Sequence, residues 1–239
     1  MDANEIFHFF LHSALNAWAL TFVFFLVLYF SFAGVAFLIS YMAGTQFKID
    51  SHPYPTSQIT KEIKLSLVSI SIFSFQTALI QQIMVRGWAT VNFSFHLSTL
   101  IIELIILFLW NEIHFYAIHW LLHRKWWFRN IHYIHHQSYH PTPFSVYSFS
   151  WVEAMLLGSV IFVPLLAYDF QGLSLLSLPI VSIALNVMGH WDYDFFPQLK
   201  SSHWLRASFR HSLHHRKVHG NFGFQLHVLD KVFKTEIKN

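Results

Sequence analysis

Ala17–Gly44 reads AWALTFVFFLVLYFSFAGVAFLISYMAG and holds no Asp, Glu, Lys, Arg or His. About 20 mostly apolar residues cross the hydrocarbon core of a bilayer, so the stretch is read as a membrane helix. The flank before it carries Asp2, Asn4 and Glu5 and no Lys or Arg. It lacks the positive n-region of a cleaved signal, which makes this a retained helix. Working outward, a polar linker from Lys48 to Lys64 contains the helix breaker His52-Pro53-Tyr54-Pro55, and Leu65–Val85 forms a second, weaker span with Gln76, Gln81 and Gln82. A short loop at Arg86-Gly87 turns the chain back into a third apolar run, Phe93–Trp110, which holds one acid, Glu103. From Asn111 the same helix becomes polar and aromatic. Trp151–Tyr168 and Leu173–Gly189 flank Asp169-Phe170-Gln171-Gly172 and read as a helical hairpin, each arm near the short limit for a crossing.

Composition supports this reading. Of 239 residues 54% are hydrophobic and 11% charged, where soluble proteins carry about 25% charged residues. Disorder, a collagen-like chain and a nucleic-acid module are excluded, and a formal charge of +3 gives no reason to expect a nucleic-acid partner. The expected fold is all-α: a multi-pass membrane helical bundle with a histidine-rich cap. Residues 1–110 supply the N-terminal membrane helices; residues 111–239 form a catalytic region that includes the hairpin at about 151–189. Placing the Lys48–Lys64 linker, the Arg124–Arg129 region and the C-terminal tail on one side puts fourteen Lys and Arg there and leaves only Arg86 opposite. By the positive-inside rule that side is cytoplasmic, and the endoplasmic reticulum and a bacterial inner membrane both satisfy it.

Histidine is the second anomaly. Thirteen of eighteen lie between His114 and His219, and cysteine is absent, which leaves nitrogen as the obvious ligand for a metal. Three clusters stand out: His119-Trp-Leu-Leu-His123, His132-Tyr-Ile-His135-His136 and His211-Ser-Leu-His214-His215, with His190 between the last two. Spacings of three and four share a helix face, so His119 and His123 can grip one ion. In each HxxHH box the adjacent pair diverges by about 100° around the axis and can serve two neighbouring ions. Nine imidazoles are too many for one ion and suit two. All-nitrogen ligation favours Fe, Zn, Cu or Ni over Mg or Ca, and an open two-metal centre in a membrane protein suits O₂ activation at iron against a lipid C–H bond. The same HxxxH spacing at His8 and His12 has no companion signal and reads as interfacial helix surface.

These boxes and their flanks resemble the fatty acid hydroxylase superfamily, which includes sterol desaturases, sterol methyl oxidases and alkylglycerol monooxygenase. The family pattern of an acid, a Tyr and HxxxH is similar to Glu112, Tyr116, His119 and His123, and the next box follows at the same interval, as His132–His136 does. Pro141-Thr142-Pro143, Tyr147-Ser148-Phe149 and Asn186-Val-Met-Gly-His190 resemble further family motifs. So do His211–His215, Asn221-Phe222-Gly223 and Asp230-Lys-Val-Phe233-Lys-Thr235. The likeness runs from about 112 to 235. Trp120, Trp151 and Phe222 depart from the usual residues, and Asp194 stands where some members have another histidine. The resemblance implies an O₂-dependent di-iron lipid hydroxylase or desaturase, with about four membrane helices under a cytoplasmic metal cap and O₂ as co-substrate. It also implies electrons from a separate donor of the cytochrome b5 or ferredoxin/reductase type, because the chain carries no recognisable haem or flavin module.

Beyond the nine histidines, Glu112 is a candidate to hold a ligand imidazole by its free N–H. Asp194 could ligate metal, orient a ligand or cap its turn. Glu103, costly in hydrocarbon, is expected to pack against Gln76 or Gln81. His140, His203 and His219 read as interfacial. The alternative function is a histidine-rich metal-binding or transport protein without oxygenase activity. Transporters place their ligands within the spans, whereas these boxes lie beyond the apolar runs.

Overall fold

The computed structural model describes residues 3–237; Asp2, used above for the N-terminal flank, lies outside them. Among the described residues the chain is helical, with no strand beyond the isolated bridges Lys48–Tyr193 and Asn92–Gln171. The elements are α1 (Ala3–His12), α2 (Ala14–Ala43), α3 (Thr56–Val85), α4 (Leu97–Leu122), α5 (Lys125–Trp127) and a π-helical turn at Phe128–His132. They continue with α6 (Tyr133–His136), α7 (Trp151–Gly158), α8 (Phe162–Ala167), α9 (Gly172–Gly189), α10 (Ala207–Lys217) and α11 (Val228–Val232). Four of them, α2, α3, α4 and α9, are long and apolar enough to cross a membrane, so the protein is an integral membrane protein.

Ser13 starts α2 by accepting the Asn16 N–H (3.1 Å), which satisfies one of the free donors at a helix start. Pro55 precedes α3, whose first turns occupy half of the stretch read as a linker. The helix breakers end at Pro55, and nothing from Thr56 to Lys64 breaks a helix. Its polar residues instead face the cap: buried Glu62 accepts from Gln58 Nε2 (2.8 Å), Ser138 Oγ (2.7 Å) and Thr142 Oγ1 (2.5 Å). The core between α2, α3 and α9 is built on Tyr29, Ile70, Val146 and Ile183, all fully buried. The Tyr29 hydroxyl donates to the Phe144 carbonyl (2.8 Å), so a membrane helix is tied directly to the loop that follows the second histidine box.

The hairpin reaches the end of the bundle opposite the boxes. Its tip meets the α3–α4 loop, where Asn92 N–H donates to Phe170 (3.0 Å) and Gly172 N–H to Asn92 (2.9 Å). Gln171 caps α4, accepting from His96 N–H (2.9 Å). Helices α4 and α9 therefore run parallel towards the cap. Their register is pinned by Glu103, whose Oε2 accepts from Ser174 Oγ (2.5 Å) and Gln171 N–H (3.0 Å). The partner is the hairpin and not Gln76 or Gln81, which bond Met155 and Leu11 backbone carbonyls. One step along the same register Leu107 and Leu178 share a buried cluster with Phe170, and the offset that relates these pairs also relates His119 to His190.

Candidate metal centre

Four stretches of chain deliver the imidazoles. The end of α4 presents His119 and His123, α6 and the turn before it present His132, His135 and His136, the end of α9 presents His190, and α10 presents His211, His214 and His215. The wide π turn at Phe128–His132 sits directly ahead of the second box, a place where such irregularities re-aim side chains. All nine histidines come together, in two groups. His119, His123, His132, His136 and His214 form one; His135, His190, His211 and His215 form the other, and within each group one ring nitrogen per residue lies within 4.8 Å of all the rest. Each HxxHH box is divided. The adjacent rings of His135 and His136 stand at 86°, and those of His214 and His215 at 88°, so helical rotation sends neighbours to different groups.

The ring nitrogens have defined roles. Nδ1–H of His119 donates to the Phe222 carbonyl (2.9 Å), that of His214 to Gly220 (2.7 Å), that of His190 to Asn186 (2.9 Å) and that of His135 to Ser148 (3.4 Å). Nδ1–H of His132 donates to Glu153 Oε1 (2.7 Å). An acceptor at Nδ1 fixes the tautomer and leaves Nε2 as a lone pair. The Nε2 atoms of these rings and of the remaining box histidines converge: His136 lies 3.3 Å from His123 and 3.2 Å from His132, while His190 lies 3.2 Å from His135 and 3.0 Å from His211, and His215 lies 3.1 Å from His211. The Nε2 of His214 is buried with no partner.

Bare lone pairs this close repel one another. Nitrogens that each sit about 2.0–2.1 Å from one ion are spaced this way when they occupy neighbouring coordination positions. Burial also pushes His123, His132, His135, His136, His211, His214 and His215 well below the usual histidine range, reinforced by the neighbouring imidazoles. His190 is pushed down to about 4, again chiefly by burial. At neutral pH the rings are uncharged donors, which is the form a metal takes. The donor set thus fits transition-metal ions, one for each group.

The two carboxylates expected beside the imidazoles lie elsewhere. Asp194 accepts from Arg206 Nη2 (2.5 Å) and Nε (3.0 Å) and, within its own turn, from Phe196 N–H (3.3 Å); its partner is a largely buried guanidinium twelve residues on. Glu112 accepts from the backbone N–H groups of Gln225 (3.1 Å) and Leu226 (2.8 Å), so it anchors the loop that carries Phe222 and touches no imidazole. His203 accepts the Leu205 N–H (3.2 Å) at a helix start, and His219 bonds the Lys217 carbonyl. His140 stacks on His52 (4.6 Å) beside Asp50, a surface trio whose carboxylate also faces Arg216 (3.5 Å).

Sequence reasoning passed over Glu153. It is fully buried at the start of α7, and its Oε2 has no partner. It borders a void of about 10 Å³ lined by Phe115, His119, His132, His135 and His190, room for little more than a water molecule. The signal that flagged Glu103, an acid inside an apolar run, applied equally here.

Similarity to known proteins centres on the same region. The chain is 24% identical to human lathosterol oxidase over 201 residues, which is 81% of this chain and 67% of that protein. It is 28% identical to a putative methylsterol monooxygenase of Dictyostelium discoideum over 143 residues, 58% of this chain and 52% of that protein. A very-long-chain aldehyde decarbonylase of Oryza sativa is 29% identical over 133 residues, 51% of this chain and 21% of the rice protein. No solved structure matches. The profile of fatty acid hydroxylases matches residues 104–235, more than half of the chain and the part that carries all nine converging imidazoles. On that match the chain belongs to the fatty acid hydroxylase family.

Proposed function

We propose that this protein is an oxidoreductase that hydroxylates or desaturates a C–H position of a membrane lipid, using O₂ at two iron ions held by the nine histidines. The observation that carries the reading is the convergence of two neutral imidazole sets, five of the nine rings fixed in tautomer, in a chain with four apolar helices. Membership of the family and the likeness to named sterol oxidases support it. Hydroxylation balances as R–H + O₂ + 2e⁻ + 2H⁺ giving R–OH + H₂O; desaturation takes the same O₂, electrons and protons and gives a C=C bond and two waters. When bound, iron supplies the redox activation of O₂.

The chain's own residues do the rest. Phe222, Gly220, Asn186 and Ser148 carbonyls and the Glu153 carboxylate hold Nδ1–H and aim Nε2. Burial of the rings excludes water from the reacting volume. Electrons come from a separate donor of the cytochrome b5 or ferredoxin/reductase type, and the boxes face the cytoplasm from an endoplasmic reticulum or bacterial inner membrane. Untargeted lipid analysis of cells with and without the protein, beside a His135→Ala control, tests the reading. A lipid that gains oxygen or a double bond only with the intact chain supports it. Metal uptake into vesicles without lipid-dependent O₂ consumption would replace it with the metal-handling alternative.

A further inference from the structure

Eight of the nine converging imidazoles are buried, and His123 alone keeps a solvent-accessible edge. It belongs to the five-histidine group, whereas every ring of the four-histidine group is buried. The chain that follows it reads Arg124-Lys125-Trp126-Trp127-Phe128-Arg129. Phe128 turns inward, its ring 5.3 Å from that of His123 and 5.2 Å from that of His136. Arg124, Lys125, Trp126 and Arg129 stay exposed, Trp126 by 62%. The Val218 carbonyl also faces the His123 ring, and exposed Lys217 precedes it. From Ile113 to Val152 the chain holds no Asp or Glu. Among the described residues no ion pair reaches Arg124, Lys125, Arg129 or Lys217. Acids of the cap are engaged elsewhere: Glu62 with Gln58, Ser138 and Thr142, Asp50 with His52, His140 and Arg216, and Asp194 with Arg206. Helix α4 has 26 residues, about 39 Å at 1.5 Å per residue against about 30 Å of hydrocarbon, so its end carries these cations clear of the membrane core. The positive-inside rule accounts for cations on this side, but not for their standing unpaired around the one accessible imidazole.

From these features, and resting on the oxygenase reading above, we infer that the face formed by Arg124, Lys125, Trp126, Arg129 and Lys217 docks an acidic one-electron carrier protein, and that electrons enter the metal centre at the five-histidine group past His123. Electron tunnelling falls off exponentially with distance, so a carrier on the surface delivers to the part of the centre nearest solvent. That part is the His123 edge. The four-histidine group, buried throughout, is reached through the five-histidine group. An uncompensated cluster of cations raises the encounter rate with an acidic partner and repels a basic one. Exposed Trp and Arg are also the side chains on which protein contacts most often depend. Each docking oxidises one carrier by one electron, and two dockings supply the two electrons that each oxidation of lipid consumes.

The test uses the iron-loaded full chain in uncharged phosphatidylcholine nanodiscs, with the soluble haem domain of cytochrome b5 as the probe carrier. Reduced haem domain is mixed with oxidised protein without O₂, and haem oxidation is followed at low and high salt. The parent's rate should fall as salt rises. Reversing Arg124, Lys125 and Arg129 together to Glu should cut the low-salt rate roughly tenfold or more, while reduction by uncharged photoexcited 5-deazariboflavin keeps the parent's rate. Lys200→Glu, in the loop between α9 and α10, should leave the haem rate unchanged. If the triple variant loses iron, Trp126→Glu carries the same expectation from a fully external side chain. Of the two variants that lose one ligand each, His135→Ala should be reduced by the carrier at least tenfold faster than His132→Ala. A haem rate indifferent to salt and to the reversals, or the opposite order of the two histidine variants, would overturn the assignment. So would reversals that change only binding to phosphatidylserine vesicles, which would make the face a lipid contact. Patch-dependent haem oxidation with no lipid oxidised would uphold the docking face and remove the oxygenase reading. Lipid oxidation with a patch-independent haem rate would do the reverse.

Discussion

Nδ1–H of His132 donates to Glu153 Oε1 at 2.7 Å, and both groups are almost wholly buried. The other four tautomer-fixed rings donate to backbone carbonyls, so this is the one imidazole of the nine held by a carboxylate. A carboxylate partner makes the opposite ring nitrogen a stronger donor and fixes ring orientation. Glu153→Gln keeps the shape and replaces the carboxyl group with an amide. It is expected to weaken the five-histidine group's hold on metal about 10–100-fold, read by competition with a chelator. Equal affinity in the two proteins would show that Glu153 only packs.

Division of each HxxHH box between groups has a direct consequence for stoichiometry. His132→Ala removes a ligand from the five-histidine group, and His135→Ala removes one from the four-histidine group. Each variant is expected to bind about one ion per chain where the parent binds two, as nine imidazoles imply. Elemental analysis of protein reconstituted without oxygen checks this. If both variants keep the parent's metal content, the grouping is wrong.

What the sequence made legible and what it hid follow one physical line. The nine imidazoles were readable because helical periodicity turns spacings of three and four into shared faces, and His135 and His136 part by helix rotation alone. The groups that orient them were hidden. Phe222, Gly220, Ser148 and Asn186 act through carbonyl oxygens, which every residue possesses and no residue type advertises. Gly220 shows the limit well: its φ is +119°, and a Cβ there would meet the Thr235 carbonyl oxygen at 2.4 Å. The need for glycine comes from a segment fifteen residues away. Glu103 was recognised as unusual but assigned the wrong partners, and of the three roles open to Asp194 the structure shows the turn cap, with Phe196 N–H, together with an ion pair to Arg206; Ser174 and Arg206 become neighbours of these acids only in the folded chain.

Glu103 gives a test of the bundle apart from the chemistry. Its Oε2 gathers Ser174 Oγ and Gln171 N–H at the far end of the α4–α9 seam. Glu103→Ala leaves those buried donors unpaired, at a cost of about 1–3 kcal/mol. The thermal midpoint in detergent should fall while metal content at low temperature is retained. A variant as stable as the parent would mean that the hairpin tip is held by packing alone.

Acid should dismantle the metal-free protein through its histidines. His190 titrates at about 4 in the folded chain and near 6.5 when exposed, and burial is the main cause. Between those values the unfolded chain binds the extra proton, so stability falls as pH drops from 6.5 towards 4 and is level above about 7. For His190 alone the loss across that window is on the order of 3 kcal/mol. His132, His135, His136, His211, His214 and His215 shift in the same direction. Protons also compete with metal for the same lone pairs, so ion release from the loaded protein should follow the same direction of pH. Thermal midpoints of the metal-free protein at pH 7.5 and pH 5 check the sign. A midpoint that stays level or rises on acidification would mean the imidazoles are already hydrated, and the dry, neutral centre described above would not exist.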